Sequence, residues 1–185
     1  LSENYKTESS IFNTPSQNNS IQNFTTALFA ENNLAISRDF STSLGVRAEN
    51  SSFLNQWNIA PRFSAAYRLS EKWVSSLAYG IFYQTPESKF LSTNFKQNFQ
   101  KSTHYIFQVQ RSEENRTLRL EAFYKDYKNL VKTQTIGFQN FVLPTYGDGF
   151  AKGVEVLWRD KKSIKNVDYW DSYSYLDSKR EIINY

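Results

Sequence analysis

Residues 57–84 read WNIAPRFSAAYRLSEKWVSSLAYGIFYQ, and their apolar side chains recur at every second position. Before a polar turn at 70–72, one face carries Trp57, Ile59, Phe63, Ala65, Tyr67 and Leu69. After the turn, the corresponding face carries Trp73, Leu77, Tyr79, Ile81 and Tyr83. Since successive side chains of a strand point to opposite faces, the stretch predicts a hairpin of two long strands, each strongly apolar on one face only.

The same alternation extends in both directions along the chain. Six further segments show it, at 24–36, 40–50, 102–111, 116–127, 149–159 and 165–177. The segments are about 10 to 13 residues long, whereas strands of water-soluble domains are typically about 5 to 6. A strand that crosses an apolar band of about 25 Å at a tilt of roughly 45° needs about 11 residues. The lengths therefore favour strands that span a membrane.

The connections between the segments alternate between short and long. Short turns are expected at 37–39, 70–72, 112–115 and 160–164, and long loops at 85–101 and 128–148, with an intermediate one at 51–56. Residues 1–23 are expected to be a loop or a strand-flanking segment. All the short turns then lie at one end of the strands, which is typical of outer-membrane barrels. The predicted fold is all-β, an antiparallel transmembrane β-barrel segment of about eight strands.

The composition excludes several other classes. Aromatic residues make up 17% of the chain, yet its mean hydropathy is −0.62, and no apolar run approaches the roughly 20 residues of a spanning helix. The chain has no cysteine, which removes disulfides, thiol catalysis and cysteine metal sites. Its net charge of +4 is scattered among 18 acidic residues, so a nucleic-acid partner is not expected.

No pattern indicates an enzyme, a metal site or a cofactor. His104 is the only histidine, and no acidic cluster lies near it in the sequence. Five aspartates are spread over strand ends and turns, where solvated acids normally lie: Asp126, Asp148, Asp160, Asp168 and Asp177. We therefore expect no catalytic residues, no metal ligands and no cofactor.

Four stretches, taken in order, resemble the barrel of TonB-dependent outer-membrane receptors, particularly those of the Bacteroidetes. They are residues 27–49 (ALFAENNLAISRDFSTSLGVRAE), 60–86 (APRFSAAYRLSEKWVSSLAYGIFYQTP), 120–131 (LEAFYKDYKNLV) and 149–180 (GFAKGVEVLWRDKKSIKNVDYWDSYSYLDSKR). The resemblance runs from about Phe24 onward, so residues 24–185 are expected to be part of the receptor's barrel domain.

The resemblance implies a barrel of roughly 22 strands in the bacterial outer membrane, filled by a plug domain. Such a receptor imports a scarce nutrient, such as a siderophore, glycan or peptide, with energy passed on by TonB. Implied partners are outer-membrane lipids, the protein's own plug, the TonB complex and the nutrient. Two alternatives stay open: another outer-membrane barrel (porin or adhesin) and, from a different class, a soluble β-rich binding module.

Charged side chains on the predicted lumen face are the first group of candidate site residues: Arg47, Glu49, Arg62, Arg68, Arg119, Glu121, Glu155 and Arg159. A wet or plugged barrel interior tolerates charge at these positions. They are expected either to form ion pairs with the plug or to lie solvated in cross-strand pairs.

Aromatic residues in the two long loops are the second group: Phe90, Phe95, Phe99, Phe138, Phe141 and Tyr146. Exposed aromatic side chains mark binding surfaces. The hypothesis is that these rings cover the outer mouth and contact the ligand or a surface lipoprotein. The alternative is that they pack the loops against one another.

Overall fold

The structure, a computed structural model, describes residues 2–6, 18–87, 90, 97–136 and 139–181. Ten strands lie in these ranges: β1 (Ser2–Lys6), β2 (Asn18–Gln22), β3 (Thr25–Ala35), β4 (Phe40–Ser51), β5 (Gln56–Arg68), β6 (Trp73–Gln84), β7 (Gln100–Glu113), β8 (Arg116–Ile136), β9 (Gln139–Asp160) and β10 (Tyr169–Arg180). No helix among the described residues is long and apolar enough to cross a membrane.

The strands form two antiparallel sheets. Within the segment 1–23, β1 pairs with β2, and β3 to β10 form one eight-stranded sheet in which each strand pairs with the next along the chain. The predicted antiparallel meander of eight strands is confirmed.

Backbone pairing aligns the apolar positions of neighbouring strands. Leu44 pairs with Phe63, Phe63 with Tyr79, Tyr79 with Tyr105, and Tyr105 with Tyr124. The ring centroid of Tyr105 lies 5.3 Å from that of Tyr79 and 6.3 Å from that of Tyr124. Because the side-chain period of a strand is two, this register puts the apolar side chains of all the strands on one face.

That apolar face is not covered by protein in the described part of the chain. Leu77, Phe107 and Tyr173 are 47%, 52% and 63% exposed. Only a few described hydrophobic residues are buried, namely Leu54, Ala60, Ala65, Phe99 and Val131. A water-soluble sheet would pack such a face against a second layer, whereas a membrane barrel turns it to lipid. We call this the lipid face and its opposite the lumen face.

The strand ends define two edges of the sheet. One edge, here the turn edge, carries the connections at 36–39, 69–72, 114–115 and 161–168. The other, the loop edge, carries residues 52–55, the connection from β6 to β7 and the tip of the β8–β9 hairpin. The last turn is longer than predicted, since β10 begins at Tyr169 and not at Lys165. Its first part is held by the Asp160 side chain, whose Oδ1 accepts from the Lys162 and Ser163 amides at 2.7 and 2.9 Å.

The loop predicted at 128–148 is largely wrong. β8 continues to Ile136 and β9 begins at Gln139, so the connection is mostly a paired ribbon that extends the hairpin. β-branched residues suit such a ribbon, and Thr133 pairs with Val142. Register shifts interrupt it between Tyr127 and Leu130 and between Val131 and Thr133, and they obscure the alternation in the sequence.

β5 and β6 part toward the loop edge. Their ladder runs from Arg62 to Arg68 and ends next to Pro61, which has no amide hydrogen to donate. Above this point, buried Leu54 and Phe99 pack together with Tyr83 against them. Gln56 Nε2 also donates to Asn98 Oδ1 at 2.7 Å. Residues 97–99 therefore fasten the outer end of β5.

Candidate functional site

The lumen face carries charge in rows that the register brings together. One row runs across five strands through Gly45, Arg62, Gly80, His104 and Lys125. Lys125 and His104 were not among the predicted site residues, because the alternation gives the face of a residue but not its neighbour on the next strand.

Arg62 is held against an aromatic ring. Its guanidinium carbon lies 4.8 Å from the Phe82 ring centroid. The His104 ring also packs on Phe82, with 4.5 Å between the centroids of these two rings. His104 Nε2 lies 2.7 Å from Ser102 Oγ. Among the described residues Arg62 forms no ion pair, so its charge stays available to the lumen.

Arg47 and Glu49 neutralise each other. Nε and Nη2 of Arg47 donate to Glu49 Oε2 at 3.0 and 2.9 Å, between two positions on the same face of β4. Both side chains are partly buried. This pair fits the solvated-pair interpretation, since it needs no outside partner.

Glu121 and Glu155 lie directly opposite each other on β8 and β9. Their other neighbours in the row, Gln108 and Ser174, are uncharged. Within the described part of the chain neither glutamate forms an ion pair. Like charges directly opposite in a sheet are destabilising, so this position favours a cation from outside the chain.

The remaining predicted lumen charges lie toward the turn edge. Arg68 is exposed at the end of β5, and Arg119 is exposed opposite Gln110 and Leu157. Arg159 forms a two-point ion pair with Asp168 in the last turn. The eight charges thus do not form one site.

The predicted loop aromatics have different surroundings. Phe99 is 4% exposed, and its centroid lies 6.2 Å from that of Tyr83. Phe90 is half-buried, and its amide donates to the Glu87 carbonyl at 2.8 Å. Tyr146 is half-buried and hydrogen-bonds the Asn98 backbone. Phe95 and Phe138 lie outside the described residues, as does the side chain of Phe141.

No group of three or more His, Asp or Glu side chains in the described ranges is arranged to hold a metal ion. The expectations of no catalytic residue, no metal and no cofactor stay predictions.

Solved structures with the same fold are outer-membrane receptors and transporters. The siderophore receptor PirA from Pseudomonas aeruginosa aligns with a TM-score of 0.75 and 14% identity, over 86% of this chain and 32% of PirA. A mutant of the ferric enterobactin receptor PfeA, also from Pseudomonas aeruginosa, aligns with a TM-score of 0.74 and 14% identity, over 86% of this chain and 27% of PfeA. The FrpB iron transporter from Neisseria meningitidis aligns with a TM-score of 0.68 and 12% identity, over 85% of this chain and 26% of FrpB.

The chain spans about a third or less of the length of these structures. No curated protein matches it in sequence. The sequence profile described as "TonB dependent receptor-like, beta-barrel" matches residues 2–184. Receptors of this family work with a plug domain and TonB, and the family is one of transporters and receptors, not of enzymes.

This match favours the receptor barrel over the porin, adhesin and soluble-module alternatives. It does not single out the Bacteroidetes receptors, so that part of the resemblance stays a prediction. With the sheet, its two faces and the profile in agreement, the chain belongs to the TonB-dependent receptor β-barrel family of the bacterial outer membrane.

Proposed function

We propose that the whole protein takes up a scarce nutrient across the outer membrane with energy from TonB, and that this chain supplies part of the barrel wall and outer loops. No chemistry is performed on the nutrient. The similar structures are called siderophore receptor, ferric enterobactin receptor and iron transporter. Those names support an iron chelate as the first substrate class to test, followed by glycans and peptides.

The observation that carries this proposal is the pairing of Glu121 with Glu155 on the lumen face. A plug domain that fills the barrel would bring a basic side chain against these two carboxylates and offset their repulsion. In an open pore, both carboxylates would contact only water. The pair therefore favours a plugged receptor over a passive channel.

The other proposed partners follow from the two faces and the loop edge. Outer-membrane lipids contact the exposed apolar side chains of the lipid face. The nutrient, and a surface lipoprotein over the mouth, contact loop aromatics such as Phe90, Phe141 and Tyr146. A nucleic-acid partner is not proposed.

Uptake by cells tests the function. The source bacterium is grown with an iron chelate, an oligosaccharide or a peptide as sole source, with the gene intact, deleted or restored. We expect deletion to abolish growth on one class, and inactivation of TonB to have the same effect. Growth that persists without TonB but needs the gene would show passive diffusion and contradict the proposal.

The loop hypothesis has its own test. Phe90→Ser and Phe141→Ser are expected to weaken nutrient binding to the purified protein, because they remove aromatic contact area at the mouth. Phe53→Ser is the control, since Phe53 is an exposed aromatic residue of the short β4–β5 connection. If Phe90→Ser and Phe141→Ser bind the nutrient as tightly as the unsubstituted protein, the loop rings only pack against one another.

A further inference from the structure

A depression of about 250 Å³ lies in the lumen face across β3 to β7. Its floor is made of residues with little or no side chain, namely Gly45, Ser64, Ala78 and Gly80. Gly45 leaves space, since a Cβ at this position would have no neighbour closer than 3.7 Å. The depression is therefore formed by the sequence itself, through small residues at adjacent register positions.

One side of the depression is formed by three groups that pack together, namely Phe82, Arg62 and His104. The Phe82 ring folds back over Gly80, where an added Cβ would come within 2.9 Å of Phe82 Cε2. Arg62 and His104 pack against the same ring, at 4.8 and 4.5 Å from its centroid. A cation over an aromatic face loses little of its hydrogen-bonding capacity at the edge of the guanidinium. Arg62 is thus positioned, and because no described residue accepts a hydrogen bond from its N–H groups, they can bind an acceptor in the depression.

The charge around the depression is mostly positive. Among the described residues that line it, Glu31 is the one acidic side chain, and it accepts a hydrogen bond from Ser43 Oγ at 3.3 Å. Lys125 pairs with His104 in the next position of the row, and its Nζ lies 5.0 Å from the Phe123 ring centroid. Within the described residues neither Arg62 nor Lys125 forms an ion pair. Two uncompensated cations against one carboxylate favour an anionic ligand.

We propose that this depression is a binding subsite for a carboxylate group of a solute in the barrel lumen. Arg62 would bind the carboxylate through two parallel N–H donors, the geometry that a guanidinium offers and an ammonium does not. Glu31 limits the subsite to a single negative group. The proposal rests on the proposed uptake function, because it assumes that solutes reach the lumen face.

The test uses an introduced thiol in the full-length protein, purified in detergent. Ser64→Cys places a thiol in the floor, and its rates of reaction with an anionic and a cationic methanethiosulfonate reagent of similar size are compared. Ser76→Cys is the matched control: it is also half-buried on the lumen face, but it lies in the row of Glu121 and Glu155. Electrostatic steering in such a cleft changes rates by about tenfold or more.

We expect the Ser64→Cys thiol to react about tenfold faster with the anionic reagent, and the Ser76→Cys thiol to show no such preference, because a basic plug residue offsets Glu121 and Glu155 in its row. Arg62→Gln should remove the preference of the Ser64→Cys thiol for the anionic reagent, and Glu31→Gln should increase that preference. Millimolar butyrate, which carries one carboxylate, should slow modification of the Ser64→Cys thiol, whereas uncharged butyramide should not.

Three outcomes would overturn the subsite. They are a thiol at position 64 that prefers the cationic reagent, one that reacts with neither reagent because the plug covers it, and one that butyrate fails to protect. The thiol rates do not depend on transport. A failed carboxylate test in a protein that still imports its nutrient with TonB therefore rejects the subsite alone, and failed import with normal protection rejects the proposed function.

Discussion

Arg159 at the end of β9 donates two hydrogen bonds to Asp168 in the following turn. Its Nε lies 3.1 Å from Oδ1 and its Nη2 2.7 Å from Oδ2 of Asp168. Lys161 Nζ adds a contact of 3.3 Å to the same carboxylate. These donors, Arg159 first, lower the pKa of Asp168 to about 2. An arginine predicted to serve the lumen therefore closes the last turn of the sheet.

Acid should open this turn. The pKa of Asp168 is lower in the folded state than its ordinary 3.8, so ionised Asp168 stabilises the fold above that value. The stabilisation is lost as the pH falls through about 2. We expect amide hydrogen exchange, corrected for its intrinsic pH dependence, to show protection of residues 161–168 near neutral pH and loss of protection on acidification. Asp168→Asn should abolish the dependence except at the Lys162 and Ser163 amides, which Asp160 holds, whereas Asp39→Asn, in the β3–β4 turn, should leave it intact.

Alanine substitution should affect the stability of the protein very differently at two glycines of the lumen face. A Cβ at Gly153 would clash with the Tyr175 carbonyl oxygen and lie 2.8 Å from Phe123 Cζ, whereas one at Gly45 would meet only ordinary contacts. Because a backbone atom cannot swing away, we expect Gly153→Ala to destabilise the barrel by about 1–3 kcal/mol. Gly45→Ala should be close to neutral. Urea unfolding of full-length protein in lipid vesicles measures both, and equal midpoints would contradict the packing described.

The sequence predicts the strands well where lipid constrains them. Residues that cross the apolar band must alternate, so the spanning parts of β4, β5 and β6 are visible as patterns and are found within a residue or two of their predicted bounds. Above the band that constraint ends. The outer part of the β8–β9 hairpin is paired all the same, but its register shifts erase the two-residue period, and it is predicted as loop.

The candidate site is less predictable because it depends on register and on distant contacts. Alternation places Glu121 and Glu155 on one face, but only the pairing of β8 with β9 makes them neighbours. Phe99 is buried by Leu54, which is remote in sequence. Its loop position suggested an exposed binding residue, and no local pattern indicates the cluster that covers it.

The assignment of the lipid face and the lumen face can be tested by introducing one charged side chain on each. Leu77→Arg would place a guanidinium on the lipid face, where a charge near the middle of the bilayer costs about 2–4 kcal/mol. Ser76→Arg, one residue earlier, points to the lumen face and should cost little, since Glu121 lies two strands away in the same row. Unfolding free energies in vesicles should differ accordingly. A reversed order would show that the faces are assigned the wrong way round.

Phe99 should matter more for the loop edge than its loop position suggests. Replacing this buried ring by alanine removes its packing on Leu54 and Tyr83, at a cost of about 3 kcal/mol for a well-packed phenylalanine. We expect Phe99→Ala to speed amide exchange at residues 52–56 and 97–99 while leaving the turn edge unchanged. Phe53→Ala is the control, because Phe53 lies next to Leu54 in the β4–β5 connection but is 40% exposed. Unchanged exchange in the Phe99 variant would contradict the cluster.

Glu155→Gln should change the stability of the full-length protein in opposite directions, depending on whether the glutamate pair contacts the plug or only water. If Glu121 and Glu155 only face water, Glu155→Gln relieves a like-charge pair and stabilises the full-length protein by about 0.2–1 kcal/mol. If a basic plug residue lies between them, the same substitution removes a charged hydrogen bond and destabilises the protein by about 1.5–3 kcal/mol. We expect destabilisation, measured as a lower urea midpoint for release of the plug. Glu71→Gln, an exposed glutamate at the turn edge, corrects for the change in net charge. A higher midpoint for Glu155→Gln would contradict the plug contact proposed for this glutamate pair.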